Sequence, residues 1–140
     1  MTQGSQRYLF IVFIIAMFSS FSANAAGKLE VKHWVISSEN SGSYQSIHIK
    51  LEINNLGDKD LHNVKLSPSD SIFSVSQQDS QINVGNLPAM GQSIVDWSFD
   101  TPAAEGYFSS GMPLFFILKA KQDNGDKIEF PVYSNGGVTQ

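Results

Sequence analysis

Ile47, Ile49, Leu51 and Ile53 alternate strictly with Ser46, His48, Lys50 and Glu52. A pleated strand points successive side chains to opposite faces, so this stretch has one dry face and one wet face. It predicts a half-buried strand of an antiparallel sheet with a core on one side. The run Asn54-Asn55-Leu56-Gly57-Asp58 then supplies turn residues.

The same period-two pattern recurs along the chain. Lys28–Ser37 reads as a first strand with Val31 inward. One alternation cannot accommodate His33, Trp34, Val35 and Ile36, and a bulge near His33 would turn Trp34 and Ile36 towards the core. Ser37–Ser43 reads as a polar loop. Leu61–Ser67 forms a strand with Val64 and Leu66 inward and His62 and Lys65 outward, stopped by Pro68. Ser71–Ser76 is a short strand, and Ile82, Val84 and Leu87 mark another. In Gln92–Asp100, Val95, Trp97 and Phe99 share one face and Asp96, Ser98 and Asp100 the other.

Thr101–Pro113 is the longest loop, and its Tyr107, Phe108 and Met112 predict that it folds back on the body. Leu114–Lys121 and Lys127–Tyr133 form a last hairpin, with Asn124-Gly125 predicted as a two-residue primed turn. Pro131 cannot donate to a ladder, which predicts an edge position for the final strand. Seven or eight short strands, frequent turn signals and no useful helical period predict an all-β fold, a two-sheet antiparallel β-sandwich.

The N-terminus reads as an address. Arg7 precedes an unbroken apolar run, Leu9–Phe18, and Ala23-Asn24-Ala25 fits the small-x-small cleavage rule. The expected organisation is a signal peptide over 1–25, a sandwich domain over 26–133 and a flexible tail over 134–140. The apolar run is about half the roughly 20 residues that span a bilayer, which favours cleavage over anchoring. Of 140 residues, 115 remain after a 25-residue leader, enough for one domain with a real core. Without Arg7 there are 8 basic against 13 acidic side chains, a net charge of −5 with histidine neutral. No basic patch stands out in the sequence, which argues against nucleic acid and anionic membrane as partners. With no cysteine, thiol catalysis and Cys-ligated zinc are excluded. The expected compartment is the bacterial periplasm or exterior.

Three segments carry a family pattern: Asn55-Leu56-Gly57 after a strand, Asn63-Val64-Lys65-Leu66, and Val84-Gly85-Asn86-Leu87-Pro88-Ala89-Met90-Gly91-Gln92-Ser93. This resembles the immunoglobulin-like accessory domains of bacterial exported proteins of the CARDB and NEW3 (adaptin-appendage-like) type. Met90 departs from it, standing where a small or polar turn residue is usual. The resemblance implies a sandwich used for adhesion, spacing or docking, and brings no catalytic signature.

No H-E-x-x-H, G-x-S-x-G, P-loop or G-x-G-x-x-G string occurs, so the chain is read as non-enzymatic and without a cofactor. His33 and His48 become neighbours if the first two strands pair antiparallel, and with His62, Met90 and Met112 they are the candidates for a soft-metal site. Rim histidines and loop filler are the stronger reading of these residues. Asp123, Asn124 and Asp126 offer oxygens, but a tight turn uses the same residues for backbone reasons. Asp58 and Asp60 read as solvated charge. The candidate binding surface is aromatic: Tyr44, Tyr107, Phe108 and Tyr133. A bare sheet edge, able to take a partner strand, is the second candidate. A protein partner at the envelope is the expected ligand. A carbohydrate-binding module and a periplasmic metal-binding protein are the two other readings.

Overall fold

The computed structural model describes residues 28–104, 108–109 and 111–136. The proposed leader and Tyr107 lie outside the described residues. The fold is all-β. Among the described residues seven strands run β1 (Leu29–Ser41), β2 (Tyr44–Asn55), β3 (Leu61–Pro68), β4 (Ile82–Leu87), β5 (Gln92–Pro102), β6 (Leu114–Lys121) and β7 (Lys127–Gly136), with one helical turn, α1 (Val75–Gln78). They form one mixed sheet in the order β4-β3-β6-β7-β1-β2-β5, curled until it is nearly closed. Every pairing is antiparallel except β1 with β7, which is parallel over Val31↔Ser134 to His33↔Gly136. The purely antiparallel expectation is corrected there.

The alternation in β2 is realised in full. Ile47, Ile49, Leu51 and Ile53 are buried, opposite Phe99, Trp97, Val95 and Ser93 of β5. From the other half of the sheet come Val64 and Leu66 of β3, Leu114, Phe116 and Leu118 of β6, and the half-buried Ile128, Phe130 and Val132 of β7. Each fully buried aliphatic side chain removed from water contributes about 1.5–3 kcal/mol, which makes this core the main driving force.

Several local expectations are corrected. In β1 it is His33 that points inward, fully buried, with Nδ1 2.7 Å from Ser134 Oγ. The register shifts between Val35 and Ser37, so the bulge falls later than expected and Trp34 and Ile36 stay off the core. Ser37–Ser41 is strand, and the β1–β2 connection shrinks to Gly42-Ser43, with Gly42 at φ 64. Glycine first in a two-residue hairpin loop is what a type II′ turn demands.

Ser71–Ser76 is not a strand. Asp70 Oδ1 accepts from Ile72 N at 3.3 Å and Asp70 O from Phe73 N at 3.2 Å, a turn that buries both Ile72 and Phe73. Consecutive inward side chains are impossible in a pleated strand. Phe73 instead lies within 5.0–5.7 Å of the rings of Phe99, Trp97 and Phe116.

The β6–β7 connection is not a two-residue primed turn. Gly125 N donates to Gln122 O, and Gln122 N to Asp126 O, each at 2.9 Å. Only Gly125 has positive φ, at 86. This is a three-residue loop with a glycine bulge, in which Asn124 needs no left-handed backbone.

β7 is not an edge strand, but Pro131 pairs only with Ile117 of β6, because β1 joins β7 just at Ser134–Gly136. Ser134 is buried, and residues 134–136 belong to the sheet rather than to a tail.

Candidate functional site

The aromatic set does not form one surface. Phe108 packs inward, its ring edge-on to Phe99 at 5.5 Å. Tyr44 is 51% exposed at the β1–β2 hairpin, opposite Pro102 of β5. Tyr133 is 57% exposed on β7, next to Phe115 with ring centroids 6.1 Å apart and planes at 51°. Tyr133 precedes Ser134, the partner of Val31, and so stands level with Glu30, whereas Tyr44 pairs with Ser41. That separation is about 35 Å of strand. Sequence reasoning missed Phe115, whose outward position was legible from its place between inward Leu114 and Phe116.

The histidines are likewise dispersed. β1 and β2 do pair antiparallel, yet His33 faces Leu51 and His48 faces Ser37, one inside and one outside. His62 Nε2 is 2.5 Å from Asp123 Oδ1, which joins β3 to the β6–β7 turn. Asp126 N donates to Asn124 Oδ1 at 3.0 Å, so these oxygens serve the turn itself. Met112 packs against the core and Met90 sits at a turn tip. Among the described residues no three His, Asp or Glu side chains gather into a metal-holding group.

Two surfaces remain. One is the tip built around Asn55, which is 4% exposed. Its Nδ2 donates to Lys59 O at 2.8 Å and Leu87 O at 3.1 Å, while Oδ1 accepts from Gly57 N at 3.1 Å. Asp60 Oδ1 accepts from Ala89 N at 2.8 Å. The β2–β3 and β4–β5 turns are thereby bound into one rigid unit that presents Leu56 and Met90, the latter 75% exposed. Met90 has φ 59 at the third position of a turn closed by Gly91 N to Pro88 O at 2.8 Å. Glycine normally takes that slot, since a side chain there costs about 1–2 kcal/mol. Replacing Met90→Gly is expected to raise the melting temperature by a few degrees, up to about 1 kcal/mol of stability, as read by calorimetry. A lowered melting temperature contradicts a strained Met90.

The other surface is the open side of β1. β2 lines β1 from Leu29 to Ser41, but β7 covers it only at Val31–His33. From Trp34 to Ser41 no described strand pairs with the second side. Ser41 and Tyr44 flank a two-residue turn and so form a hydrogen-bonded pair, which makes Asn40 and Ser38 the non-bonded positions. Their N–H and C=O groups therefore point away from β2. The stretch has neither lysine nor proline, the residues that commonly guard an edge.

No protein-family model matches this chain, and no curated protein does. Among solved structures, the Northeast Structural Genomics Consortium target SoR45 is similar over 76% of this chain and 84% of its own, at 12% identity and a TM-score of 0.39. A beta-glucuronidase from glycoside hydrolase family 2 is similar over 72% of this chain and 11% of its own, at 18% identity and a TM-score of 0.38. Likenesses this loose carry no shared role.

Proposed function

We propose that this chain is a non-enzymatic, exported, immunoglobulin-like module that binds a protein at the bacterial envelope or outside the cell. The single observation that carries the reading is the unguarded edge of β1 between Trp34 and Ser41. An extended segment of a partner would add there as a further strand, with main-chain hydrogen bonds supplying affinity. The strand order supports the immunoglobulin-like part. It divides into β1-β2-β5 and β4-β3-β6-β7, joined by three parallel pairs between β1 and β7. An immunoglobulin-type sandwich divides its strands in a similar way. The resemblance to CARDB and NEW3 domains fits the same division. Export rests on the leader-like Leu9–Phe18 run and the small-x-small pattern Ala23-Asn24-Ala25.

Ser38→Pro tests the reading. Proline at an outward-facing N–H removes an edge donor and leaves the β1–β2 ladder whole. The variant is expected to melt like the parent and to lose at least tenfold (about 1.4 kcal/mol) in retention of the partner crosslinked to the wild-type chain in its native envelope. Glu39→Pro, which removes a ladder bond, is the destabilised control. Undiminished retention by Ser38→Pro contradicts strand addition. The bare Phe115–Tyr133 pair favours one second reading, a carbohydrate-binding module. Its test is a glycan titration followed by tyrosine fluorescence, lost in Tyr133→Ser.

A further inference from the structure

The two outer faces of the curled sheet carry opposite charge. On β1-β2-β5 the outward rows read Glu30-Asn54-Gln92, Lys32-Glu52-Ile94, Trp34-Lys50-Asp96, Ser37-His48-Ser98 and Glu39-Ser46-Asp100. Five carboxylates stand against two ammonium groups, a net of −3. Lys32 is already engaged by Glu30 at 3.0 Å, which raises its pKa. On β3-β6-β7 the outward rows read His62-Lys121-Lys127, Lys65-Lys119-Glu129 and Ser67-Ile117-Pro131, with the pair Phe115-Tyr133 at the far end. Four lysines stand against one carboxylate, a net of +3. Asp123 and Asp126 lie beyond Lys121 in the turn, the first on His62 and the second on Asn124. The charges are therefore sorted by face, although the chain as a whole is acidic.

Each face also has apolar anchors. Phe115 is 47% and Tyr133 57% exposed on the lysine face, and Ile94 is 54% exposed on the carboxylate face. Trp34 lies half-buried in the outward row just before the bulge. Because both inner faces meet in the core, the outer faces point away from each other. One copy cannot bring them together, and two copies can.

We propose that the lysine-aromatic face of one chain docks on the carboxylate face of a second copy, head to tail. The contact is heterologous, so it propagates into a ring or an open row rather than stopping at a two-fold dimer. Complementary charge sets its register and suppresses the like-face encounters, lysine on lysine and carboxylate on carboxylate. Exposed ion pairs are individually weak, each about 0–1 kcal/mol, so the association is salt-sensitive and reversible. It uses the sheet faces and leaves the β1 edge alone, and so stands independently of strand addition.

The test is sedimentation velocity of the purified chain at rising concentration, in about 20 mM and about 500 mM salt. The weight-average sedimentation coefficient is expected to rise with concentration in low salt and to flatten in high salt. K119E/K121E turns the lysine face acidic, and E52K/D96K turns the carboxylate face basic. Each double variant alone is expected to lose at least tenfold in association constant. An equimolar mixture of the two is expected to associate again, since each supplies the face the other lacks. Both sets lie at exposed or half-buried outward positions and keep the core. A wild-type chain that stays monomeric in low salt overturns the proposal. So do variants that associate like the parent, and so does a mixture that fails to associate. Ser38→Pro is expected to self-associate normally, which separates this proposal from the edge.

Discussion

Leu51→Asp is expected to leave no cooperatively melting protein. Leu51 is fully buried in β2, level with His33 of β1 on one side and Val95 of β5 on the other. The substitution forfeits about 1.5–3 kcal/mol of apolar burial. It also buries a carboxylate among the side chains of the core, at a further cost of several kcal/mol. Together these approach the whole stability of a domain of this size, about 5–15 kcal/mol. Circular dichroism with a thermal ramp reads the outcome. A soluble Leu51→Asp chain with a sharp melt contradicts the placement of β2 at the centre of the core. Glu52, the next residue, faces out, and Glu52→Ala is expected to melt nearly as the parent does.

The second large effect is expected at a polar residue. Asn55→Ala removes the donor from Lys59 O and Leu87 O and the acceptor from Gly57 N. A buried group left without its partner costs about 1–3 kcal/mol. Losing three such bonds at a 4% exposed site predicts a loss of about 3 kcal/mol or more. The damage should centre on the two turns that Asn55 joins, so the Leu56–Asp60 and Pro88–Gly91 amides are expected to lose exchange protection before the β6–β7 hairpin does. Denaturant titration reads the stability, and a change below about 1 kcal/mol contradicts the role of Asn55 as the tie. Asn55→Asp is a sharper variant, since it keeps the acceptor for Gly57 N and loses both donors.

Much of the sheet was legible in the residues because one face of each strand is dry. Period two placed β2 and β5 and the inward Val64 and Leu66, and the aromatic face of Val95, Trp97 and Phe99 followed from it. The outward positions of both His62 and Lys65 are compatible only because a bulge lies between them. Asn63 supplies it at φ 55, its N–H reaching Asn86 Oδ1 at 3.3 Å. Asparagine tolerates that backbone, which is the signal in hindsight.

Elsewhere the pattern misled for physical reasons. Ser71–Ser76 has the β-branched and aromatic content of a short strand, but the Asp70 side chain captures the Ile72 N–H and turns the chain. Local capture by aspartate competes with a ladder. Histidine reads as a rim residue, and His33 is buried because Ser134, 101 positions away, meets its ring. No local rule contains that contact. The parallel β1–β7 pairing is equally non-local, and it alone determines which part of β1 lies bare.

The candidate site was legible in kind and not in place. Aromatic residues near strand ends were visible, yet only register shows that Tyr44 and Tyr133 sit at different ends and that Phe108 is core. Charge sorting by face was invisible for the same reason. Lysines 65, 119, 121 and 127 look scattered until β3, β6 and β7 are aligned.

Residue-resolved amide hydrogen exchange on β1 tests the open edge most directly. Exposed edge amides exchange freely, while those bonded into the β2 ladder are held. The expected pattern alternates: Glu39 and Ser41 slow, Ser38 and Asn40 fast, with Ser38 and Asn40 slowing when the partner binds. Uniform protection from Ser37 to Ser41 in the free chain would mean that this side of β1 is already covered, and would contradict the account.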